Sequence, residues 1–399
     1  MEKNGTKKTG LLLIALFLGY TMVYIDKLSV GYSLIPISTE FGLEPAAKGM
    51  IMSAFFLGYA IMQIPMGLVI NKVGSRIVLI GSVIGMGLFS FLFGFGTSLI
   101  MFMSLRFLTG LLAHSGYASS ASKEVTMNFP PEKRTFAQGI LLSSSGVAGF
   151  IGPLALSPII TNAGWKNAYM ILTVLAVVIA IFLIVAIPRN EKTKEKANAI
   201  ATKTDKISIF VIWSDIRVWI LFLSSFFINC LLYGLSSWVP SYLTGERGLD
   251  LNGAAVISSV GGLFMLIGSI GGSYVVGKFF QHKEKAVVAI TAILGALSAF
   301  GSYYIGNLVL LSIVMGLANF FLIISFVTMM SIPLRIFEGA KFAPSYGTLA
   351  TGGILGGFVS PTLIGKLVEL SNGQYISTFI FFLVVGLLTA VTIMFIKQK

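Results

Sequence analysis

A chain of 399 residues with 56% hydrophobic and 11% charged positions and a mean hydropathy of +0.91 is far from a soluble domain; it has the composition of a polytopic membrane protein. The formal net charge of +13 would suit a nucleic-acid partner only as a basic face on a soluble domain, and no stretch builds one. Cys230, the single cysteine, lies in an apolar run, which excludes an internal disulfide and argues against a cysteine-based metal site.

Apolar runs of the roughly 20 residues needed to cross the hydrocarbon core fall at 10–36, 46–70, 77–97, 99–127, 136–161, 165–188, 216–244, 251–277, 286–305, 307–334, 342–369 and 375–396, which predicts twelve crossings. A backbone in hydrocarbon must satisfy its own hydrogen bonds, and the runs are too long and evenly apolar for barrel strands. The fold class is therefore an all-α integral membrane protein. The first run follows MEKNGTKKTG without a small-residue cleavage site and is read as a retained span rather than a signal peptide.

Basic residues crowd one set of alternate connections, among them Lys72, Arg76, Lys133, Arg134, Lys192, Lys194, Lys196, Lys203, Lys206, Lys283, Arg335, Lys397 and Lys399. The other set holds little beyond Lys48, Lys166, Arg247 and Lys366. By the positive-inside rule this predicts cytoplasmic N- and C-termini in the cell membrane, and it accounts for the net charge without nucleic acid. The polar stretch 188–206, PRNEKTKEKANAIATKTDK, divides the chain into an N-terminal six-helix bundle, 1–190, a cytoplasmic linker, 191–214, and a C-terminal six-helix bundle, 215–399. A shift of 208 residues (347 − 139) sets Gly139 on Gly347, Leu141 on Leu349, Gly149 on Gly357, Phe150 on Phe358 and Pro153 on Pro361, on the fifth and eleventh runs. Matching helices in two six-span halves predict pseudo-symmetric bundles with a cavity between them.

Within the first run, GYTMVYIDKLS places Tyr20, Tyr24, Asp26 and Lys27 at bilayer depth, where an ionisable side chain costs about 2.5 to 3.5 kcal/mol. Either these charges serve function or they lie near enough to a membrane face to be solvated. A carboxylate in a dry cavity beside a cation can hold its protonation poised. On the fourth run, Arg106, Thr109, Gly110, Ala113 and Tyr117 share one face of a regular helix, followed by His114, which can titrate near neutrality or be merely hydrogen-bonded. Lys123 and Glu124 can be a gate pair or interfacial charges. The C-terminal half offers uncharged candidates: Asn229 and Tyr233 on the seventh run, Asn319 on the tenth, and Ser345, Tyr346 and Thr351 on the eleventh. Glycine pairs such as Gly268-x-x-x-Gly272 and Gly353-x-x-x-Gly357 serve close helix packing. No phosphate loop, metal-spaced His/Cys set or serine elbow is present, so neither an ATPase, a cofactor nor an enzyme is expected.

Gly67-Leu-Val-Ile-Asn71-Lys72-Val-Gly74-Ser75-Arg76, between the second and third runs, resembles the cytoplasmic loop signature of the major facilitator superfamily, with Asn71 where that signature has Asp. Tyr24-Ile25-Asp26-Lys27 resembles the Tyr-x-Asp-Arg first-helix motif of its anion:cation symporter family, which includes sugar-acid and sialic acid transporters. Tyr59 and Gln63 before Pro65-Met66-Gly67, Arg106-x-x-x-Gly110, Phe129-Pro130-Pro131-Glu132-Lys133-Arg134, Trp238-Val-Pro240-Ser-Tyr242-Leu243 and Ser360-Pro361 continue the resemblance along nearly the whole chain. It implies a major facilitator fold, Asp26 as proton carrier and Lys27 as anion contact, with lysine gripping less geometrically than arginine. The family's span-four glutamate, seven residues after the arginine, is Ala113 here, so proton coupling falls to Asp26 with or without His114.

The expectation is a monomeric secondary transporter in the lipid bilayer, taking up a small organic anion, with a sugar acid favoured, together with protons by alternating access. Proton coupling is assigned to Asp26 and His114, and gating to Gly67, Asn71, Gly74 and Arg76. Substrate binding is assigned to Lys27, Arg106, Tyr20, Tyr24, Tyr59, Gln63, Asn229, Tyr233, Asn319, Tyr346 and Thr351. A drug or cation antiporter of the same superfamily and an anion exchanger are the alternatives, with a membrane enzyme or sensor last.

Overall fold

Residues 2–187, 209–280, 282–337 and 341–396 are described by a computed structural model. Most of the expected linker, 191–208, lies outside them, as do Lys192, Lys194, Lys196, Lys203, Lys206, Lys397 and Lys399. Among the described residues, twelve helices are long and apolar enough to cross a membrane. They are α1 (Thr9–Phe41), α2 (Pro45–Gln63), α3 (Ser75–Phe93), α4 (Leu99–Asn128), α5 (Phe136–Ala163), α6 (Trp165–Ala186), α7 (Ile216–Gly245), α8 (Leu251–Phe279), α9 (Glu284–Ser302), α10 (Leu308–Ile336), α11 (Pro344–Leu370) and α12 (Ile376–Met394). The described end of the expected linker is not all extended: Ile209–Trp213 is a short helix, and the Trp213 indole donates to Thr348 Oγ1 on α11 at 3.3 Å.

Apolar content makes these segments helical, and polar residues stop them. Ser98, Asp215, Asp250 and Asn307 sit just before α4, α7, α8 and α10, each accepting a backbone N–H of the first turn that no helix carbonyl can reach. Arg217 also holds the Asp215 carboxylate, keeping its pKa below the usual carboxylate range. The outer faces remain apolar. On α6, Val174, Val178, Ile181 and Val185 are exposed one turn after another, as a helix bathed in lipid requires.

Helices α1–α6 and α7–α12 form two six-helix bundles. The main contacts that join them are α5 against α8 and α2 against α11, with α1 touching α7 between the two. The 208-residue shift carries α5 onto α11 and α2 onto α8, so it exchanges one seam with the other; the internal repeat thus appears as a pseudo-two-fold relation between the bundles.

The seams are tight at one end only. Gly49 on α2 lies against the backbone of Pro361, Gly365 on α11 against that of Pro45, and Gly262 on α8 against that of Gly149, so that a methyl at any of them would overlap main chain. Thr362 Oγ1 donates to Ser53 Oγ at 2.8 Å, and Ser157 Oγ to Asn252 Oδ1 at 2.8 Å. These contacts lie midway along the helices or toward the face opposite the chain termini. Toward the terminal face, Gly139 on α5, Gly271 on α8 and Gly347 on α11 have open space where a methyl would go. The tight glycine contacts of the seams thus run from the opposite face to about mid-helix, and these three glycines toward the terminal face make none.

This difference sets the sign of a pair of substitutions. Alanine normally gains about 1 kcal/mol over glycine inside a helix, so Gly271→Ala is expected to leave the melting temperature unchanged or raise it. Gly262→Ala is expected to lower it, since overpacking against fixed backbone costs about 1–3 kcal/mol. Equal Tm values for the two variants in detergent would contradict the tight seam.

Candidate transport site

The site is organised by two adjacent residues of α1. Neighbours on a helix project about 100° apart, so Asp26 and Lys27 enter different surroundings. Asp26, 1% exposed, turns into the first bundle. Its Oδ1 accepts from Ser90 Oγ on α3 at 2.9 Å and its Oδ2 from Arg106 Nη1 on α4 at 3.3 Å. Arg106 is 2% exposed, and its guanidinium lies 4.7 Å from the Phe55 ring centroid on α2. Of its five N–H donors, Nη1 is given to Asp26, while Nε has no partner among the described residues.

Lys27 points to the seam. Its ammonium lies 3.8 Å from the Tyr233 ring centroid on α7, 4.8 Å from that of Phe56 on α2 and 5.8 Å from that of Tyr24. This cage takes rings from both bundles, and cation–π contacts of this kind contribute about 0.5–2 kcal/mol. Among the described residues Lys27 makes no ion pair. Asp26, Lys27 and Arg106 together carry a formal −1 + 1 + 1 = +1, so the site holds one formal positive charge that no side chain among the described residues pairs with.

Beside Lys27 a cavity of about 180 Å³ lies between the bundles, walled by α1, α5, α7, α8 and α10. It brings together Tyr24, Lys27, Asn229, Tyr233 and Asn319 of the residues expected from sequence. Asn229 Nδ2 donates to Ser225 O at 2.8 Å and Asn319 Nδ2 to Met315 O at 3.0 Å, each spending one amide hydrogen on its own helix. A niche of about 10 Å³, enough for roughly one water, is lined by Lys27, Phe56 and Arg106 and connects the ion pair to the seam.

The other expected residues lie off the cavity wall. Tyr20 stacks on Tyr117 at 5.6 Å and accepts from the Tyr24 hydroxyl at 3.5 Å. His114, 6% exposed, stands edge-on to Phe55 and Tyr59 at 4.8 and 4.9 Å, with Nδ1 lacking a partner among the described residues. Gln63 is half-buried, with Oε1 likewise unpartnered. Tyr346 is 38% exposed on α11, and Thr351 Oγ1 donates to Gly347 O at 2.9 Å within its own helix.

The α2–α3 loop turns at Gly74, whose φ of +95 suits glycine. Asn71 Oδ1 accepts from Lys123 Nζ at 3.0 Å, Ser75 donates to Glu124, and Arg76 caps the end of α6 by donating to the carbonyls of Ile184 and Ile187 at 2.9 Å. Gly67, on the helix that continues α2 as far as Val73, has open space where a methyl would go. Lys123 and Glu124 thus have separate partners, and all the bonds of the loop stay within the first bundle.

Sequence reasoning did not anticipate Phe56 in the cage, nor Tyr32, Ser145, Ser236 and Ser258 on the cavity wall. For Tyr32 a signal existed, because Tyr24, Leu28 and Tyr32 recur every four residues and therefore share a helix face.

The Major Facilitator Superfamily description matches residues 12–344. The chain belongs to the major facilitator superfamily. Relatives of similar sequence are named as transporters. "Probable sulfoacetate transporter SauU" of Cupriavidus necator is 27% identical, the match covering 94% of this chain and 90% of that one. The D-galactonate transporter of Escherichia coli O6:H1 is 24% identical over 90% of this chain and 89% of its own, and the quinolone resistance transporter of Acinetobacter baumannii 24% over 91% and 88%. The crystal structure of a bacterial homologue of the human lysosomal transporter Spinster, inward-facing and occupied, shares the fold with a TM-score of 0.80 at 17% identity, covering 96% of this chain and 95% of that one. This major facilitator protein is thus a multi-pass membrane transporter resembling the anion:cation symporters, not an enzyme.

Proposed function

We propose that this transporter takes up a small organic anion, a carboxylate or sulfonate, together with protons across the cell membrane, working as a monomer with both termini cytoplasmic. The observation that carries the reading is Lys27, a cation without a carboxylate partner among the described residues, held by rings of both bundles at the wall of the seam cavity. Leaving a charge uncompensated in a low-dielectric interior is costly, and an anionic cargo removes that cost. Relatives named for sulfoacetate and D-galactonate, both organic acids, point the same way.

Coupling follows from the shared charges. With Asp26 ionised, Arg106 is neutralised and Lys27 alone attracts the anion. A proton on Asp26 releases Arg106, whose spare donors reach toward the niche it shares with Lys27, and the site then presents two cations. Proton and anion binding favour each other by the same factor, as linkage demands. His114 is a second proton site beside Arg106 and Phe55, and Tyr20, Tyr59, Gln63, Tyr346 and Thr351 line the route beyond the cavity. The bundles, 1–190 and 215–399, rock about the seam while the segment 191–214 tethers them, and the loop with Gly67, Asn71, Gly74 and Arg76 steadies the first bundle.

Proteoliposomes with an acidic exterior test this directly: labelled substrate should accumulate inside, and a protonophore should abolish the gradient. The relative named for quinolone resistance favours a second reading, proton-driven export, in which the same gradient would drive substrate the other way. Accumulation indifferent to the pH gradient but dependent on internal anion would identify an exchanger.

A further inference from the structure

Beyond the Lys27 end, the seam cavity is walled by Leu232, Ile257, Met265, Met315, Ile323 and Phe326. The wall's polar side chains, the hydroxyls of Tyr24, Tyr32 and Tyr233 apart, give much of their donor capacity to the fold. Ser145 Oγ donates to Leu142 O at 3.0 Å, Ser236 Oγ to Tyr233 O at 3.2 Å and Ser258 Oγ to Ala254 O at 2.8 Å, each spending its only hydrogen on a helix carbonyl. Asn229 and Asn319 each spend one of two amide hydrogens in the same way. Lys27 is the charged residue of the wall.

A polyhydroxylated acid loses a hydrogen-bonding partner for every hydroxyl that the apolar stretch from Leu232 to Phe326 strips of water, and each unsatisfied group costs about tenfold in affinity. An apolar body loses nothing there and gains the burial. Methionines at 265 and 315 add side chains that adapt to ring edges.

Resting on the assignment of Lys27 as the anion contact, we infer that the cargo is a monoanion with an apolar, ring-sized body, its charged head at Lys27 and its body among Met265, Met315, Ile323 and Phe326. The sugar acid favoured by sequence resemblance is the poorer fit to this wall.

The test compares thermal stabilisation of the purified carrier in detergent by phenylacetate, by neutral phenylacetamide and by D-galactonate, in wild type and in Lys27→Ala. Phenylacetate is expected to bind at least about tenfold more tightly than D-galactonate, with its shift lost in Lys27→Ala and absent for phenylacetamide. A Lys27-dependent shift from D-galactonate that equals or exceeds that from phenylacetate would overturn the apolar body and leave the anion site standing. Equal shifts from phenylacetate and phenylacetamide, or no Lys27-dependent shift from either anion, would overturn both. Met315→Ser, lined on the cavity but outside the charged cluster, separates the two components further. It is expected to weaken phenylacetate several-fold more than D-galactonate, and an unchanged phenylacetate shift would count against the body's place.

Discussion

Lys27→Ala is expected to weaken substrate binding by about ten- to a hundredfold, the loss of one charge-assisted contact in a desolvated site. The contact exists because the ammonium stands in an aromatic cage with no carboxylate to neutralise it. For the same reason the fold should survive the change. Removing an uncompensated charge from among Tyr24, Phe56 and Tyr233 leaves an apolar niche, so the ligand-free Tm should stay the same or rise. Lys27→Arg keeps the charge and adds a planar, two-pronged grip, so it should retain binding. Uptake kinetics beside ligand-free melting separate the two effects: full binding in Lys27→Ala would remove Lys27 from the site, and a large drop in its ligand-free Tm would make its role structural.

Asp26→Asn is expected to abolish proton-driven accumulation while preserving exchange of substrate across the membrane. Asparagine keeps one of the two acceptor positions used by Ser90 and Arg106, presents an NH2 at the other, and cannot carry the proton. It also leaves Arg106 buried without its counter-charge, and breaking a buried pair costs about 3–5 kcal/mol. The single variant should therefore melt lower than wild type. Asp26→Asn combined with Arg106→Met should recover much of that stability, because residues in direct contact do not act additively. Accumulation that persists in Asp26→Asn, measured in vesicles against an imposed pH gradient, would remove the carboxylate from the coupling mechanism.

The fold was legible because lipid leaves a chain few choices. A run of apolar residues long enough to cross must be a helix, and the expected runs 99–127 and 165–188 correspond to Leu99–Asn128 and Trp165–Ala186. The site was legible as a set of residue types and much less as an arrangement. Asp26 and Arg106 are 80 positions apart, and nothing local announces that they meet. Arg106, Thr109, Gly110, Ala113 and Tyr117 occupy one face of an ideal helix, but Thr109–His114 is a π-helical turn, which widens the repeat and alters the register beyond it. All five are buried and none lines the seam cavity. The cage around Lys27 escaped notice for a different reason: Tyr233 stands out by itself as a binding candidate, but Phe56 reads as an ordinary apolar helix residue, and that the two close on one ammonium shows only when two bundles are set side by side.

The ion pairs among the described residues, Asp26 with Arg106, Glu40 with Lys166, Asp215 with Arg217, Glu284 with Arg335 and Glu369 with Lys366, each stay within one bundle. Glycine backbones and the hydroxyls of Ser53, Thr362 and Ser157 close the seam instead. Among the described residues, parting it therefore breaks no ion pair, only cation–π contacts such as that of Lys27 with Tyr233, and the balance between its open and closed forms should respond little to ionic strength. A hinge built this way is electrically quiet. The bound cargo and its proton then bring the one substantial change of charge that the interface meets in a cycle.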